Sequence, residues 1–143
     1  MKKKNASLDR SKLLLKEKNL RCTPARLAVL ALFESSDHPM SSQEVVARVS
    51  RGTAYQATIY RILKSFTDLG ILRTVNLRHE HVDYELALHS DHHHIVCTGC
   101  GKLEKFEGCD AESIAKKALK KCPSFKTINE HAIELFGLCV RCA

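Results

Sequence analysis

Four cysteines fall in two pairs, Cys97-x-x-Cys100 and Cys139-x-x-Cys142, and three histidines, His92, His93 and His94, run into the first pair. A two-residue spacer lets both sulfurs of a pair reach one ion about 2.3 Å away, so two such knuckles can close a tetrahedral thiolate cage. Four thiolates leave no open coordination position, which makes the expected zinc ion structural. The 38 residues from Gly101 to Leu138 exceed the usual zinc-ribbon spacing, so a small domain must be stitched shut between the knuckles. Cys22, Cys109 and Cys122 are left over and are read as packing residues.

The histidines carry a different chemistry. On an extended strand successive side chains alternate, so His92 and His94 point one way while Asp91 and His93 point the other. One short strand can therefore serve two sites.

The chain has 143 residues and a net charge of +7, and the charge is lopsided. Residues 1–72 hold 13 Lys/Arg against 6 Asp/Glu, whereas residues 73–143 hold 10 of each. A basic half beside a neutral, metal-rich half suggests that one part meets phosphate. The longest apolar run, Leu27 to Phe33, is far too short for a membrane span, and no apolar stretch follows Met1-Lys-Lys-Lys to make a secretory signal. A cytoplasmic protein is expected, with seven cysteines pointing to metal ligation rather than disulfides.

Residues 2–5 read as a frayed basic leader, followed by a short helix carrying Leu8 and Leu13–Leu15 that ends near Asn19. Thr23 is placed to cap the next helix, with Pro24 at its first position, and Leu27, Leu30, Ala31 and Phe33 face a core. Ser41 or Ser42 caps a third helix bearing Val45, Val46 and Val49. From Ala54 to Leu69, Ile59, Ile62, Leu63, Phe66 and Leu69 form an apolar stripe, and Gln56, Tyr60, Arg61 and Lys64 occupy the other side. Gly70 stops that helix, and Ile71–Val75 and Val82–Leu88 read as two strands around a polar turn at Asn76–His81. Helices followed by a hairpin make a winged helix-turn-helix whose fourth helix would enter the major groove. Arg61 could pair with guanine or clamp a phosphate, and Tyr60 could contact a thymine methyl or a phosphate.

His89-Ser90-Asp91 reads as a hinge, which divides the chain into a DNA-binding domain over 1–88 and a metal-binding dimerisation domain over 89–143. In the second domain strands are expected over 92–97 and 102–107, a helix over 111–121, and a strand from Phe125 to Phe136. Its core is small, so zinc and a partner subunit are the expected supplements; structural zinc contributes roughly 10–16 kcal/mol in small peptides. The fold class is α+β, an N-terminal winged helix-turn-helix followed by a small C-terminal α/β dimerisation domain with a four-cysteine zinc site.

Four motifs together resemble the Fur (ferric uptake regulator) family of metal-responsive transcriptional regulators, over nearly the whole chain from Leu8 to Cys142. They are Leu20-Arg21-Cys22-Thr23-Pro24-Ala25-Arg26, Ala57-Thr58-Ile59-Tyr60-Arg61, His92 through Gly101, and Cys139-x-x-Cys142. The resemblance implies a homodimeric repressor, not an enzyme, that binds double-stranded DNA, with an AT-rich inverted repeat as operator. Dimer symmetry independently predicts a palindrome. The resemblance also implies DNA contacts from Arg21, Thr23, Arg26, Gln56, Thr58, Tyr60, Arg61 and Lys64. Regulatory ligands are implied at Glu85, His92 and His94, with His38 as the expected fourth. The second ligand set is implied at Asp91, His93, Glu112 and His131.

The family often adds a carboxylate eight residues beyond the first knuckle cysteine, where this chain has Lys105. Glu104 and Glu107 are the nearby acids, alternation threatens to turn Glu104 away, and His79, His81 and His89 are further candidates. Nitrogen and oxygen ligands suit Fe²⁺, Mn²⁺, Ni²⁺ or Zn²⁺; Glu85 resembles the iron-sensing arrangement, which makes Fe²⁺ the expected regulatory ion. A His, Asp and Glu cluster also suits a catalytic zinc in a small hydrolase or deaminase, or a metal buffer, but no His-x-Glu stands ahead of a Pro-Cys-x-x-Cys.

Overall fold

The computed structural model describes residues 2–49, 52–77, 81–87 and 92–143, with side chains from Leu8 onward. His79, His89, Asp91 and the expected hinge lie outside these residues. The chain forms two compact units, Met1–Leu88 and His89–Ala143.

The first unit opens with α1 (Lys2–Glu17), which includes the stretch expected to be a frayed leader. It ends where Asn19 takes a positive φ of 55°, a conformation that asparagine tolerates better than most residues. Thr23 caps α2 (Pro24–Glu34) by accepting a hydrogen bond from the Arg26 backbone N–H. Strand β1 (Met40–Ser41) leads into α3 (Ser42–Val49). Between the two candidate caps the fold selects Ser41. Its N–H donates to Glu44 Oε2 at 2.8 Å while the Glu44 N–H donates to Ser41 Oγ at 3.2 Å, a reciprocal capping box. The Ser41 N–H also holds the Glu44 carboxyl below its ordinary value.

Helix α4 spans Gln56–Asp68, two residues shorter at its start than its apolar period suggests. Gly70 ends it at φ +67°, and the Ile71 N–H donates back to Phe66 O at 2.8 Å, the closure that a left-handed glycine permits. Strands β2 (Leu72–Val75) and β3 (Asp83–Leu86) form the wing and pair antiparallel. β1 joins the other edge of β3 through Met40↔Tyr84 and Ser41↔Asp83, a pairing that local pattern did not reveal. Among the described residues the hydrophobic core lies in this unit: Leu15, Val29, Leu30, Phe33, Val45, Ile59, Leu63, Phe66, Ile71 and Leu72 are all buried in it.

In the second unit β4 (His92–Cys97) is the central strand of a three-stranded sheet of order β5-β4-β6, flanked by β5 (Leu103–Glu107) and β6 (Glu134–Gly137). β5 is antiparallel to β4 and β6 is parallel to it. Helix α5 (Ala111–Lys121) lies between them in sequence, capped by Asp110. The strand expected from Phe125 is a correction: only Glu134–Gly137 is extended and paired, against His94–Cys97. Residues 125–132 are exposed and irregular, because alternation without a ladder partner does not make a strand. Among the described apolar residues here only Val96 and Cys97 are buried.

Phe66 is fully buried at the centre of the first unit. Phe66→Ala should therefore cost about 3–5 kcal/mol, read as a lower urea midpoint for the unfolding of the N-terminal unit. A loss within the range of a surface substitution would contradict this core.

Candidate metal centres and nucleic-acid interface

The cysteine quartet is assembled. Cys97, Cys100, Cys139 and Cys142 place their sulfurs within 4.8 Å of one another. Cys100 Sγ and Cys139 Sγ are 3.8 Å apart, matching the edge of about 3.8 Å that a tetrahedron with metal–sulfur bonds of about 2.3 Å requires. The Cys139 N–H donates to Cys97 Sγ at 3.3 Å, stabilising a thiolate there. Gly101 takes φ +72° to turn the first knuckle, and a Cβ on Gly99 would stand 3.0 Å from Cys142 Cβ and 3.2 Å from its sulfur. The Thr98 N–H donates to Gly137 O at 2.7 Å and fastens that knuckle to β6. Spacing, glycine turns and sulfur distances all fit a structural zinc.

The sulfurs are electrostatically unequal. Backbone N–H groups, first that of Cys139, lower the Cys97 thiol from 9.0 to about 6, and the Arg141 N–H lowers Cys139. Hydrogen bonding to the other three sulfurs, first Cys139, pushes the Cys142 thiol up to about 12.

Alternation along β4 separates the histidines as expected. His92 and His94 share a face, with ring centroids 5.0 Å apart, and both are buried. Glu107 is the register partner of His92 and Lys105 that of His94, so this face carries one acid and one base from β5. Glu104 pairs with Ile95, which turns it to the opposite face, and Lys102 holds its carboxyl below the ordinary value. In the first unit Glu85 is buried on β3 and accepts a hydrogen bond from Arg73 Nε at 2.7 Å across the wing. His81 approaches Asp83 at 3.6 Å. His38 is exposed in the turn before β1, and no described metal-type cluster includes it.

On the other face His93 is buried, with ring contacts to Phe106 at 5.3 Å and to His131 at 5.2 Å. His131 is exposed in the segment before β6 rather than on that strand. Its Nε2 lies 3.4 Å from Cys109 Sγ, so a cysteine read as packing stands among the candidate ligands. Glu112 does not join the described cluster; it is exposed on α5 and paired with Lys116 at 2.8 Å. No spacing rule signals Cys109. Only the turn through Gly108, at φ +86°, brings it to the histidines.

The expected DNA face is exposed along α4 at Gln56, Thr58, Tyr60, Arg61 and Lys64. Gln56 Nε2 donates to Tyr60 Oη at 3.3 Å, and Lys64 pairs with Asp68 at 2.8 Å. Arg21 is exposed and its carbonyl accepts from an Arg26 guanidinium nitrogen at 2.9 Å, while the Thr23 hydroxyl oxygen accepts the capping N–H. Tyr55, just before α4, is 87% exposed, a large aromatic beside this face that the helical period gave no reason to select.

Residues 17–136 match the Ferric uptake regulator family. The Ferric uptake regulation protein of Legionella pneumophila is 32% identical over 131 residues, covering 90% of this chain and 95% of that protein. A structure of the Francisella tularensis ferric uptake regulator with iron has a TM-score of 0.70 and 27% identity, covering 86% of this chain and 94% of that one. The Helicobacter pylori ferric uptake regulator Fur, for which three functional metal binding sites are described, has a TM-score of 0.73 at 22% identity. It covers 96% of this chain and 92% of its own, and at that identity it bears on the fold.

Cys97's lowered value sets a pH window. Because its folded value lies below the ordinary one, the thiolate's contribution is complete above 9.0 and is lost as pH falls through about 6. Zinc reloading of chelator-stripped protein should fail as pH is lowered through about 6, measured with a chromophoric zinc indicator. Loading that persists well below that value would contradict the assignment.

Proposed function

The chain belongs to the ferric uptake regulator family of metal-responsive transcriptional regulators, and we propose that it is an iron-responsive repressor rather than an enzyme, working in the cytoplasm. The regulatory ion is held by Glu85, His92 and His94, with His38 completing the set from the DNA-binding unit. The observation that carries this reading is the pair His92 and His94, two buried imidazoles sharing one face of the central strand. Glu107, opposite His92, supplies a carboxylate where Lys105 cannot. The relatives' naming for ferric uptake and the iron in the Francisella tularensis structure support Fe²⁺.

When bound, the ion supplies a positive centre that carboxylate and imidazole lone pairs can share. The protein's own part is to hold those lone pairs. Arg73 orients the Glu85 carboxylate from across the wing, and the pleat of β4 keeps both imidazoles on one face. A ligand set drawn from both units ties metal occupancy to the arrangement of the DNA-reading helices.

The repressor acts as a homodimer on an AT-rich palindrome. Ile95 and Leu135 are register partners on β4 and β6, and both are exposed, which supports a second copy covering this face. Arg61, Tyr60, Gln56 and Thr58 meet base edges, while Lys64, Arg21, Thr23 and Arg26 meet phosphates.

Mobility shifts on AT-rich palindromic duplexes test this reading. Binding should require Fe²⁺, be lost with chelator, and be lost in His92→Ala. Arg61→Ala should retain the metal response while weakening binding roughly tenfold to a hundredfold. Shifts that ignore both chelator and His92→Ala would overturn the mechanism.

A further inference from the structure

We propose that His93 and His131, which the resemblance already places in a second ligand set, are joined by Cys109 rather than by Glu112 in a thiolate-containing metal site in the C-terminal unit, suited to a borderline ion such as Zn²⁺ or Co²⁺. It lies on the face of β4 opposite His92 and His94, and does not rest on the regulatory reading. One ligand atom from each residue lies within 4.8 Å of the other two. The 3.4 Å between Cys109 Sγ and His131 Nε2 is close to the edge of about 3.6 Å that tetrahedral metal–sulfur and metal–nitrogen bonds of about 2.3 and 2.0–2.1 Å require.

Three separate elements supply the ligands, and two of them are held. His93 is buried on β4 with Phe106 against its ring. Cys109 is held between Gly108 and Asp110, whose carboxylate accepts the Ser113 N–H at 3.3 Å to cap α5. His131 is exposed in the irregular segment before β6. Three protein ligands leave a fourth position for water.

The cysteine decides the chemistry. Ligands drawn from Asp, Glu and His alone suit hard or intermediate ions, whereas a thiolate shifts preference toward zinc and cobalt. On binding, the Cys109 thiol gives its proton to solvent, its sulfur lone pair forms the metal bond, and each neutral imidazole donates one nitrogen lone pair. Glu112, paired with Lys116, is not required.

The test uses the full chain with one zinc already in the cysteine quartet, titrated anaerobically with Co²⁺. A thiolate-to-cobalt charge-transfer band should appear in the near ultraviolet with tetrahedral d–d bands. It should vanish in Cys109→Ser and weaken in His131→Ala. The regulatory set, built of nitrogen and oxygen, contributes no thiolate band, so failure of either site reads separately. In parallel, mass-spectrometric alkylation of Cys109 should slow roughly tenfold on adding Zn²⁺, and should not slow in His131→Ala. A charge-transfer band that is absent or unchanged in Cys109→Ser overturns the proposal. So does Cys109 alkylation indifferent to metal, which would leave the contact as a sulfur–imidazole hydrogen bond only.

Discussion

The pleat of β4 is the constraint on which the rest of the molecule depends. Hydrogen-bonded to β5 on one side and β6 on the other, this strand cannot slip without breaking two ladders. A slip of one residue would exchange its faces, putting His93 where His92 and His94 now stand. Three adjacent histidines are thereby sorted onto two faces by backbone geometry alone.

The cysteine quartet stands at the end of this pleat, where the sheet's own packing is thin. The second unit buries little apolar surface, with Val96 and Cys97 its buried apolar residues among those described. Cys97 is the last residue of β4, and β6 ends two residues before Cys139. An ion joining these cysteines clamps the C-terminal ends of two parallel strands. A metal bound there would couple to the fold energetically, while the first unit, with its large core from Leu15 to Leu86, is built on ordinary burial.

Much of this was legible in the chain. The apolar stripe of α4, the Thr23-Pro24 start of α2, and the two Cys-x-x-Cys pairs each state a local rule that the fold obeys. The alternation of His92, His93 and His94 was legible too, because a strand's period is two whatever surrounds it. The misses share a cause, which is dependence on partners distant in sequence. β1 is two residues long and is a strand only because Tyr84 and Asp83 lie beside it. Residues 125–132 alternate but find no ladder, so the last strand begins at Glu134. Cys109 is an unremarkable cysteine until the turn at Gly108 and the path of the chain before β6 bring it to His131.

The central claim is that metal on the Glu85, His92 and His94 set and DNA on α4 bias one equilibrium. Such coupling is reciprocal by thermodynamic necessity. Anaerobic calorimetric titration of Fe²⁺ into zinc-loaded protein, with and without a saturating palindromic duplex, measures it directly. The account predicts that DNA tightens metal binding by the same factor by which metal tightens DNA binding, and that His92→Ala abolishes the difference. Equal metal affinity in the presence and absence of DNA would contradict it.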